Sequence, residues 1–219
     1  MSKKTKSIST SLIETALHLE QIGLNHGATG NCSCRDGNTY LITPSGIDTQ
    51  NLSEDKVVRM DFTGNIVDSI TNLKPSSEWR FHKDIMSQRK EVGAVVHTHS
   101  IYASTVSLFG DTLPPFHYMI AVAGGDSVRC APYAMFGTQE LSDNIISALI
   151  DRKACLIANH GLVAIGDNLK EALQIAEEIE HLCQLYIEAR KLGEPNLLSK
   201  KQMSEVIDRF QTYSRWTKD

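Results

Sequence analysis

Three histidines in this sequence follow apolar segments and are spaced in a way that suits a metal site. His97 and His99 lie two residues apart in the segment 93–100, which is predicted to be a buried strand. Because residues two apart in a strand point to the same side, the two imidazoles are expected to project together. His160 follows a second apolar strand, predicted at 154–159, and precedes a glycine. Three imidazoles with an open fourth position are typical of a catalytic zinc site, whereas a structural site is closed by four protein ligands.

The alternative for each histidine is a structural role, in which it ends a strand and bonds to the backbone. That alternative is the common one for a single histidine, but the pair at 97 and 99 together with a third at a strand end favours a metal. Zinc is favoured over magnesium because imidazole is a borderline-soft ligand. One Zn²⁺ per subunit is predicted, with Mn²⁺ or Co²⁺ as alternatives.

Three short segments carry the small and hydroxyl-bearing residues that let backbone N–H groups approach an anion. They are residues 27–31, 45–46 and 76–77. The last pair, Ser76 and Ser77, is predicted to cap a helix, where unpaired N–H groups and the helix dipole favour negative charge. Each segment alone is also typical of an ordinary turn, but together they predict a neutral phosphate site beside the metal. The sequence has no P-loop and no dinucleotide fingerprint, so ATP and NAD are not expected.

Composition excludes several other classes of function. The 219 residues carry a net charge of −4 without a basic block, which argues against nucleic acid as a partner. No apolar run approaches the roughly 18 residues of a membrane span, and the Lys- and Ser-rich start is unlike a signal peptide. Five cysteines without a CxxC pair fit free thiols in a reducing compartment. A cytoplasmic location is therefore expected.

Hydrophobic periodicity predicts helices and strands that alternate along the chain. Helices are predicted at 9–23, 76–90, 101–109 and 168–192, and strands at 32–34, 39–43, 57–61, 66–70, 93–100, 154–159 and 162–165. No linker or internal repeat divides the sequence. The pattern indicates one α/β domain with helices packed on a central sheet.

Several motifs together resemble the class II aldolase/adducin family. They are Gly30-Asn31-Cys32-Ser33, Leu41-Ile42-Thr43-Pro44-Ser45-Gly46, Ser76-Ser77-Glu78, His97-Thr98-His99 and Asn159-His160-Gly161. The resemblance covers nearly the whole chain. It implies a single three-layer α/β/α domain over residues 1–219, with a mixed, largely antiparallel sheet and a mobile C-terminal tail at about 205–219. It also implies a homotetramer with active sites at subunit interfaces.

The resemblance assigns further roles within the site. It implies that Glu78 is the fourth metal ligand in the resting state and the acid/base when substrate binds. Tyr118 matches a tyrosine that acts across a subunit boundary, and Tyr213 matches one on the tail. The family's phosphate-binding positions correspond to Asn31, Ser45, Gly46, Ser76 and Ser77.

Two further expectations concern the substrate pocket. The order Ala28-Thr29 is the reverse of the family's Thr-Ala, so a phosphate contact from Thr29 would be displaced by one position. Phe136 and Phe210, with Tyr213, are expected to shape the aldehyde pocket. His82, one turn after Glu78, either orients that carboxylate or packs in the core.

The implied reaction is metal-dependent cleavage of a ketose 1-phosphate through an enediolate. L-Fuculose 1-phosphate is the expected substrate, which would give dihydroxyacetone phosphate and L-lactaldehyde. Within the family, the alternatives are an aldolase for a 5-deoxypentulose 1-phosphate, a pentulose-phosphate 4-epimerase and a dehydratase. Glu78 argues against the epimerases, which carry aspartate there. An adducin-like interaction module would lack the three histidines, and no HExxH helix supports a zinc hydrolase.

Overall fold

An eight-stranded sheet runs through the centre of the molecule. The computed structural model describes residues 7–68 and 73–216, with the side chains of 7–67 and 73–210. The strands are β1 Asn31–Asp36, β2 Thr39–Ile42, β3 Val58–Asp61, β4 Ile66–Asp68, β5 Ala94–Thr98, β6 Arg129–Ala131, β7 Ala154–Ile157 and β8 Gly161–Gly166. Their order is β4-β3-β2-β1-β5-β8-β7-β6. Neighbouring strands are antiparallel except β6 and β7, which pair in parallel.

Helices cover both faces of this sheet. They are α1 Ile8–Gln21, α2 Trp79–Gln88, α3 Ile101–Ser107, α4 Gln139–Ala148, α5 Leu169–Leu192 and α6 Lys200–Trp216, with 3₁₀ segments at Thr49–Asn51, Glu54–Lys56 and Tyr118–Ala123. Strand residues alternate between two buried clusters: Val96 packs with α1, α3 and α5, whereas Val95 packs with α2 and α4. The predicted three-layer α/β/α fold with a mixed, largely antiparallel sheet is confirmed.

The long helix α5 illustrates how the sequence produces these elements. Asn168 caps its start by accepting a hydrogen bond from the backbone N–H of Glu171, a common stabilising arrangement. Buried residues recur at helical spacing along one stripe: Leu169, Ala172, Ile175, Ala176, Ile179, Leu182 and Cys183. Burial of that stripe on the sheet supplies most of the stability of such a helix.

The start of α2 corrects one prediction. Serine capping at 76–77 predicted a helix from Ser76, but α2 begins at Trp79 with Glu78 at the cap position and no side-chain cap bond. The cause is a tertiary contact, because the N–H of Ser76 donates to the carbonyl of Thr43 at 3.0 Å. An isolated bridge between Pro44 and Pro75 holds the same two loops together. Ser76 therefore lies in the connection before α2, where its carbonyl accepts from the N–H of Trp79 at 3.1 Å, instead of in the first turn of the helix.

Other boundaries agree with the predictions within a few residues, and besides the 3₁₀ segments one strand and two α-helices of the described residues were not predicted. These are the short strand β6 and the helices α4 and α6. The predicted end of the second hairpin strand, residues 69–70, lies outside the described residues. The first turn of helix α6 carries a fully buried Met203, while mobility of residues 205–219 stays a prediction. No helix within the described part of the chain combines the length and apolarity that crossing a membrane requires.

Candidate metal centre

The three histidines lie together near the end of β5 and the turn between β7 and β8. His97 lies in β5 opposite Asn31 of β1 and Val163 of β8, and His99 follows directly after β5. His160 lies in the tight turn between β7 and β8, just before Gly161. A Cβ atom at Gly161 would lie 2.2 Å from the carbonyl oxygen of Thr98. A glycine is therefore required for β8 to approach the end of β5 and bring His160 to the other two.

Side-chain atoms of Glu78, His97, His99 and His160 converge on one point. The Nε2 atom of His99 lies 3.0 Å from that of His97 and 3.1 Å from that of His160. The Glu78 carboxylate contacts the same cluster, with Oε2 3.2 Å from His97 Nε2 and Oε1 3.4 Å from His160 Nε2. One ligand atom from each residue lies within 4.8 Å of all the others.

The electrostatics of this cluster fit a divalent cation. Burial and the neighbouring imidazoles His97 and His160 lower the pKa of His99 to about 3. Burial, followed by His97, lowers the pKa of His160 to about 4. Burial opposes ionisation of Glu78, yet His97, His160 and the Asn31 amide together hold its pKa below the usual range. Burial opposes protonation of His97, but the Glu78 carboxylate raises the pKa of His97 above its usual value. Neutral His99 and His160 beside an ionised carboxylate are the ligand forms that a metal needs, and a bound cation would replace the proton of His97.

Two further observations support this fit. His97 Nδ1 lies 2.9 Å from the carbonyl oxygen of Leu162, which can only accept, so Nδ1 carries a proton and Nε2 is the nitrogen that can bind a metal. Such an outer hydrogen bond is typical of metal-binding histidines. Glu78 Oε1 is buried and has no hydrogen-bond partner, a costly arrangement for a carboxylate oxygen that a bound cation would relieve.

A buried asparagine holds the backbone beside the cluster. Asn25 Oδ1 accepts a hydrogen bond from the N–H of His99 at 3.1 Å. The Asn25 side chain fits only because residue 30 is a glycine with a φ of +67°, where a Cβ would lie 2.3 Å from Asn25 Oδ1. The Gly-rich loop thus serves the metal centre as well as the predicted phosphate site.

A cavity of about 410 Å³ opens beside the metal ligands. It is lined by Ala28, Thr29, Gly30, Asn31, Pro44, Ser45, Gly46, Ser76, Ser77, Glu78, His99, Tyr133, Ala134, Phe136, Asn159 and His160. The structure therefore brings together all the residues predicted for the phosphate, three of the four predicted metal ligands, and Phe136. His97, the fourth ligand, is fully buried beneath them.

The polar groups around this cavity are not equally free to donate hydrogen bonds to an anion. The hydroxyl of Thr29 donates to the carbonyl of His26 at 2.7 Å and accepts from the N–H of His26 at 3.0 Å, so it already serves its own turn. Ser76 Oγ accepts from the N–H of Glu78 at 3.3 Å. Ser45 and Ser77 are exposed at the cavity. Donors for an anion are therefore concentrated in the second and third loops.

Two aromatic residues predicted for the site lie elsewhere in this chain. Tyr118 is half exposed and packs against the ring of Phe210, with a centroid distance of 6.5 Å. Phe210 lines a separate groove between α5 and α6. The side chain of Tyr213 lies outside the described residues. The predicted roles of these three residues remain predictions.

The structure adds two cavity-lining residues that were not assigned a role, Tyr133 and Asn159. Asn159 adopts a φ of +56°, a left-handed conformation in which asparagine is enriched among non-glycine residues. The sequence signal was its position between an apolar strand and His160. Tyr133 is 56% exposed, and its sequence position gave no comparable signal.

Comparison with known proteins identifies the family. The profile of the family described as Class II Aldolase and Adducin N-terminal domain matches residues 10–187. A 5-methylthioribulose-1-phosphate/5-deoxyribulose-1-phosphate aldolase of Rhodospirillum rubrum is 44% identical over 202 residues, covering 92% of this chain and 90% of that protein. An L-fuculose phosphate aldolase of Escherichia coli K12 is 43% identical over 203 residues, covering 92% and 93%.

The fold comparison agrees with the sequence comparison. A solved structure of an L-fuculose 1-phosphate aldolase superimposes with a TM-score of 0.90 at 38% identity, covering 95% of this chain and 98% of the other. The ligand set of one glutamate and three histidines lies within the matched region. The chain therefore belongs to the class II aldolase and adducin N-terminal domain family, as a class II aldolase.

Proposed function

We propose that this protein is a zinc-dependent aldolase that cleaves L-fuculose 1-phosphate to dihydroxyacetone phosphate and L-lactaldehyde. The observation that carries the proposal is the convergence of Glu78, His99 and His160 at the wall of a cavity that three small-residue loops also line. A volume of about 410 Å³ is within the range of small-ligand sites. The similarity to L-fuculose phosphate aldolases over more than nine-tenths of the chain supports the same substrate.

The residues that would hold the cation are Glu78, His97, His99 and His160. Zinc suits this set because imidazole is a borderline-soft ligand. When bound, the cation supplies Lewis acidity, which stabilises the negative charge that develops on substrate oxygens as the carbon–carbon bond breaks.

The phosphate would bind at the opposite wall of the cavity. Ser45, Gly46 and Ser77 are exposed there, and Ser76 and Ser77 precede Glu78, the cap residue of α2. The first backbone N–H groups of a helix favour an anion, although here the N–H of Ser76 donates to the carbonyl of Thr43 and that of Trp79 to the carbonyl of Ser76. Thr29 and Asn31 complete the proposed set, although the Thr29 hydroxyl already bonds within its turn.

Glu78 is the proposed acid/base of the reaction. The carboxylate is buried and ionised, and Oε1 has no hydrogen-bond partner that would compete for a proton. Because Glu78 lies beside the three histidines, a substrate held by the bound cation would present the carbon that must be reprotonated after cleavage close to this carboxylate. General acid/base groups of this kind contribute about 10²- to 10⁴-fold to the rate.

A phenol from a neighbouring subunit is proposed to complete the site. Tyr118 lies outside the cavity of its own chain and is half exposed, so a catalytic role requires the cavity of another copy. Tyr118, with Tyr213 on α6, would serve the oxygen of the aldehyde half: in cleavage the phenolate form would take the proton of the hydroxyl that becomes the aldehyde carbonyl, and in the reverse reaction the phenol would return it. This arrangement requires a homo-oligomer, proposed to be a tetramer, with sites at the subunit interfaces.

A second candidate substrate is 5-deoxyribulose 1-phosphate, which would give dihydroxyacetone phosphate and acetaldehyde. The 44% identity to the aldolase of Rhodospirillum rubrum favours it as strongly as the 43% identity to the Escherichia coli enzyme favours fuculose phosphate. Both substrates share the phosphate-bearing half and end in a methyl group. The exposed aromatic side chains of Tyr133 and Phe136 at the cavity suit such an apolar end.

Steady-state kinetics test the proposal directly. Release of dihydroxyacetone phosphate from both substrates is measured for protein whose bound metal has been quantified. A higher kcat/KM for L-fuculose 1-phosphate is expected, and a higher value for 5-deoxyribulose 1-phosphate would select the second candidate. Cleavage of neither substrate by metal-loaded protein would refute the proposed aldolase reaction on both.

A further inference from the structure

Four side chains form an unbroken hydrogen-bonded chain that ends on Glu78. Ser33 Oγ lies 2.7 Å from His82 Nδ1, and His82 Nε2 lies 2.5 Å from Asn31 Oδ1. Asn31 Nδ2 donates to Glu78 Oε2 at 2.9 Å. Asn31 and Ser33 lie two apart on β1, and Glu78 and His82 lie one turn apart around the start of α2. The strand and the helix therefore face each other through alternating members of the chain.

The Glu78 carboxylate determines which atom donates in each of these hydrogen bonds. Glu78 Oε2 can only accept while Glu78 is ionised, so the Asn31 amide must present its N–H group to it. The Asn31 carbonyl oxygen then faces His82 and can only accept, which places a proton on His82 Nε2. A neutral imidazole has one donor and one acceptor, so His82 Nδ1 accepts from the hydroxyl of Ser33.

The surroundings hold His82 in this form. Its side chain is fully buried, as is Ser33, and its ring stacks on Phe81 with a centroid distance of 4.4 Å and an interplanar angle of 23°. Burial, followed by the charge of His97, lowers the pKa of His82 to about 3. The imidazole is therefore neutral and fixed in its plane, and it has no contact with the cavity.

We propose that His82 is a positioning residue that fixes the Asn31 amide and thereby directs Glu78 Oε1, not Oε2, toward the reacting proton. Oε2 is occupied by the Asn31 N–H group, whereas Oε1 has no hydrogen-bond partner. When the carboxylate takes a proton from carbon on Oε1, Oε2 continues to accept from Asn31, so the chain is preserved in both protonation states. This inference rests on the proposed acid/base role of Glu78.

Solvent exchange of dihydroxyacetone phosphate isolates the proton-transfer step. The zinc-loaded protein is incubated with this compound alone in D₂O, and the loss of its carbon-bound proton is followed by ¹H NMR. The His82→Leu variant is expected to exchange about 10- to 100-fold more slowly per bound zinc, since misplacing a reacting group by about 1 Å can cost that much. His82→Gln, whose amide can still donate to Asn31, is expected to recover most of the rate.

Met86→Ala provides a matched control for instability. Met86 lies one turn after His82 on α2 and is equally buried, but it is not one of the four hydrogen-bonded side chains from Ser33 to Glu78. Its variant is expected to lose stability while retaining the wild-type exchange rate per bound zinc. Equal exchange by His82→Leu and the wild type, or an equal loss in Met86→Ala and His82→Leu, would overturn the role of His82.

A measurement on the unmodified protein covers the case in which His82→Leu does not fold. ¹⁵N NMR of histidine-labelled, zinc-loaded wild type is expected to show His82 as the Nε2–H tautomer, and an Nδ1–H tautomer would overturn the proposal. Wild-type protein that shows no exchange of dihydroxyacetone phosphate would refute the proposed aldolase function itself. The two failures are thus distinguished by the behaviour of the wild type.

Discussion

Replacing Gly30 with alanine is expected to destabilise the protein more than the same change at Gly37. Both glycines have a positive φ, +67° at Gly30 and +59° at Gly37, which costs an alanine about 1–2 kcal/mol. At Gly37 a Cβ would have no atom within 4 Å, whereas at Gly30 it would lie 2.3–2.5 Å from the amide group of Asn25. That amide must move and release the N–H of His99, which costs about 1–3 kcal/mol for a buried donor left unsatisfied.

Urea denaturation of the metal-free variants measures the difference. The Gly30→Ala change is expected to cost about 2–5 kcal/mol in total, against about 1–2 for Gly37→Ala. In an Asn25→Ala background the clash disappears, so Gly30→Ala should then cost no more than Gly37→Ala, and the double-mutant cycle should show strong coupling. Equal costs for the two glycine variants in the wild-type background, or additive costs in the cycle, would refute the proposed packing of Asn25 against Gly30.

Three further predictions concern activity. Glu78→Gln is expected to lower kcat for aldol cleavage by about 100-fold or more, because an amide cannot deliver the proton that the carbon needs after cleavage. Near-wild-type turnover by the zinc-loaded variant would contradict the role of Glu78. His97→Ala is expected to lose most bound zinc, measured by metal analysis, and a chelator should silence the wild type until zinc is restored; full activity after complete metal removal would contradict metal-dependent cleavage. Phe136→Ala is expected to change the ratio of the kcat/KM values for the two candidate substrates. The KM for dihydroxyacetone phosphate in the exchange assay should stay the same. An unchanged ratio would contradict a role for Phe136 in the aldehyde pocket.

The metal histidines could be predicted from spacing because the relevant geometry is local. A period of two residues in a strand brings His97 and His99 to one side whatever the rest of the fold does. Glu78 is different, since it lies 19 residues before His97 along the chain and meets it only through the packing of α2 on the sheet. Spacing gives no information about such a contact, and only the resemblance to the family indicated it.

The phosphate loops show the same limit. Each loop carries suitable residues, but their convergence depends on non-local pairing, such as the register of Asn31 with His97 and the bridge between Pro44 and Pro75. That bridge also delayed the start of α2 beyond Ser76. The hydroxyl of Thr29 looked available in the sequence and is instead bonded to His26. Local composition therefore predicted which segments matter, but not which of their atoms face the cavity.

The arrangement of the site also explains why enzymes with different substrate names match this chain almost equally. The groups that would hold the metal, move the proton and position Glu78 lie on the central strands, directly next to their ends, or at the start of α2, where their side chains are buried or partly buried. A change there disturbs packed neighbours and the chemistry together. Tyr133 and Phe136 instead lie on an exposed loop after β6, where substitution disturbs few packed neighbours. Selection for a new aldehyde can therefore act on this loop while overall identity stays high, so identities of 44% and 43% cannot by themselves separate the two substrates.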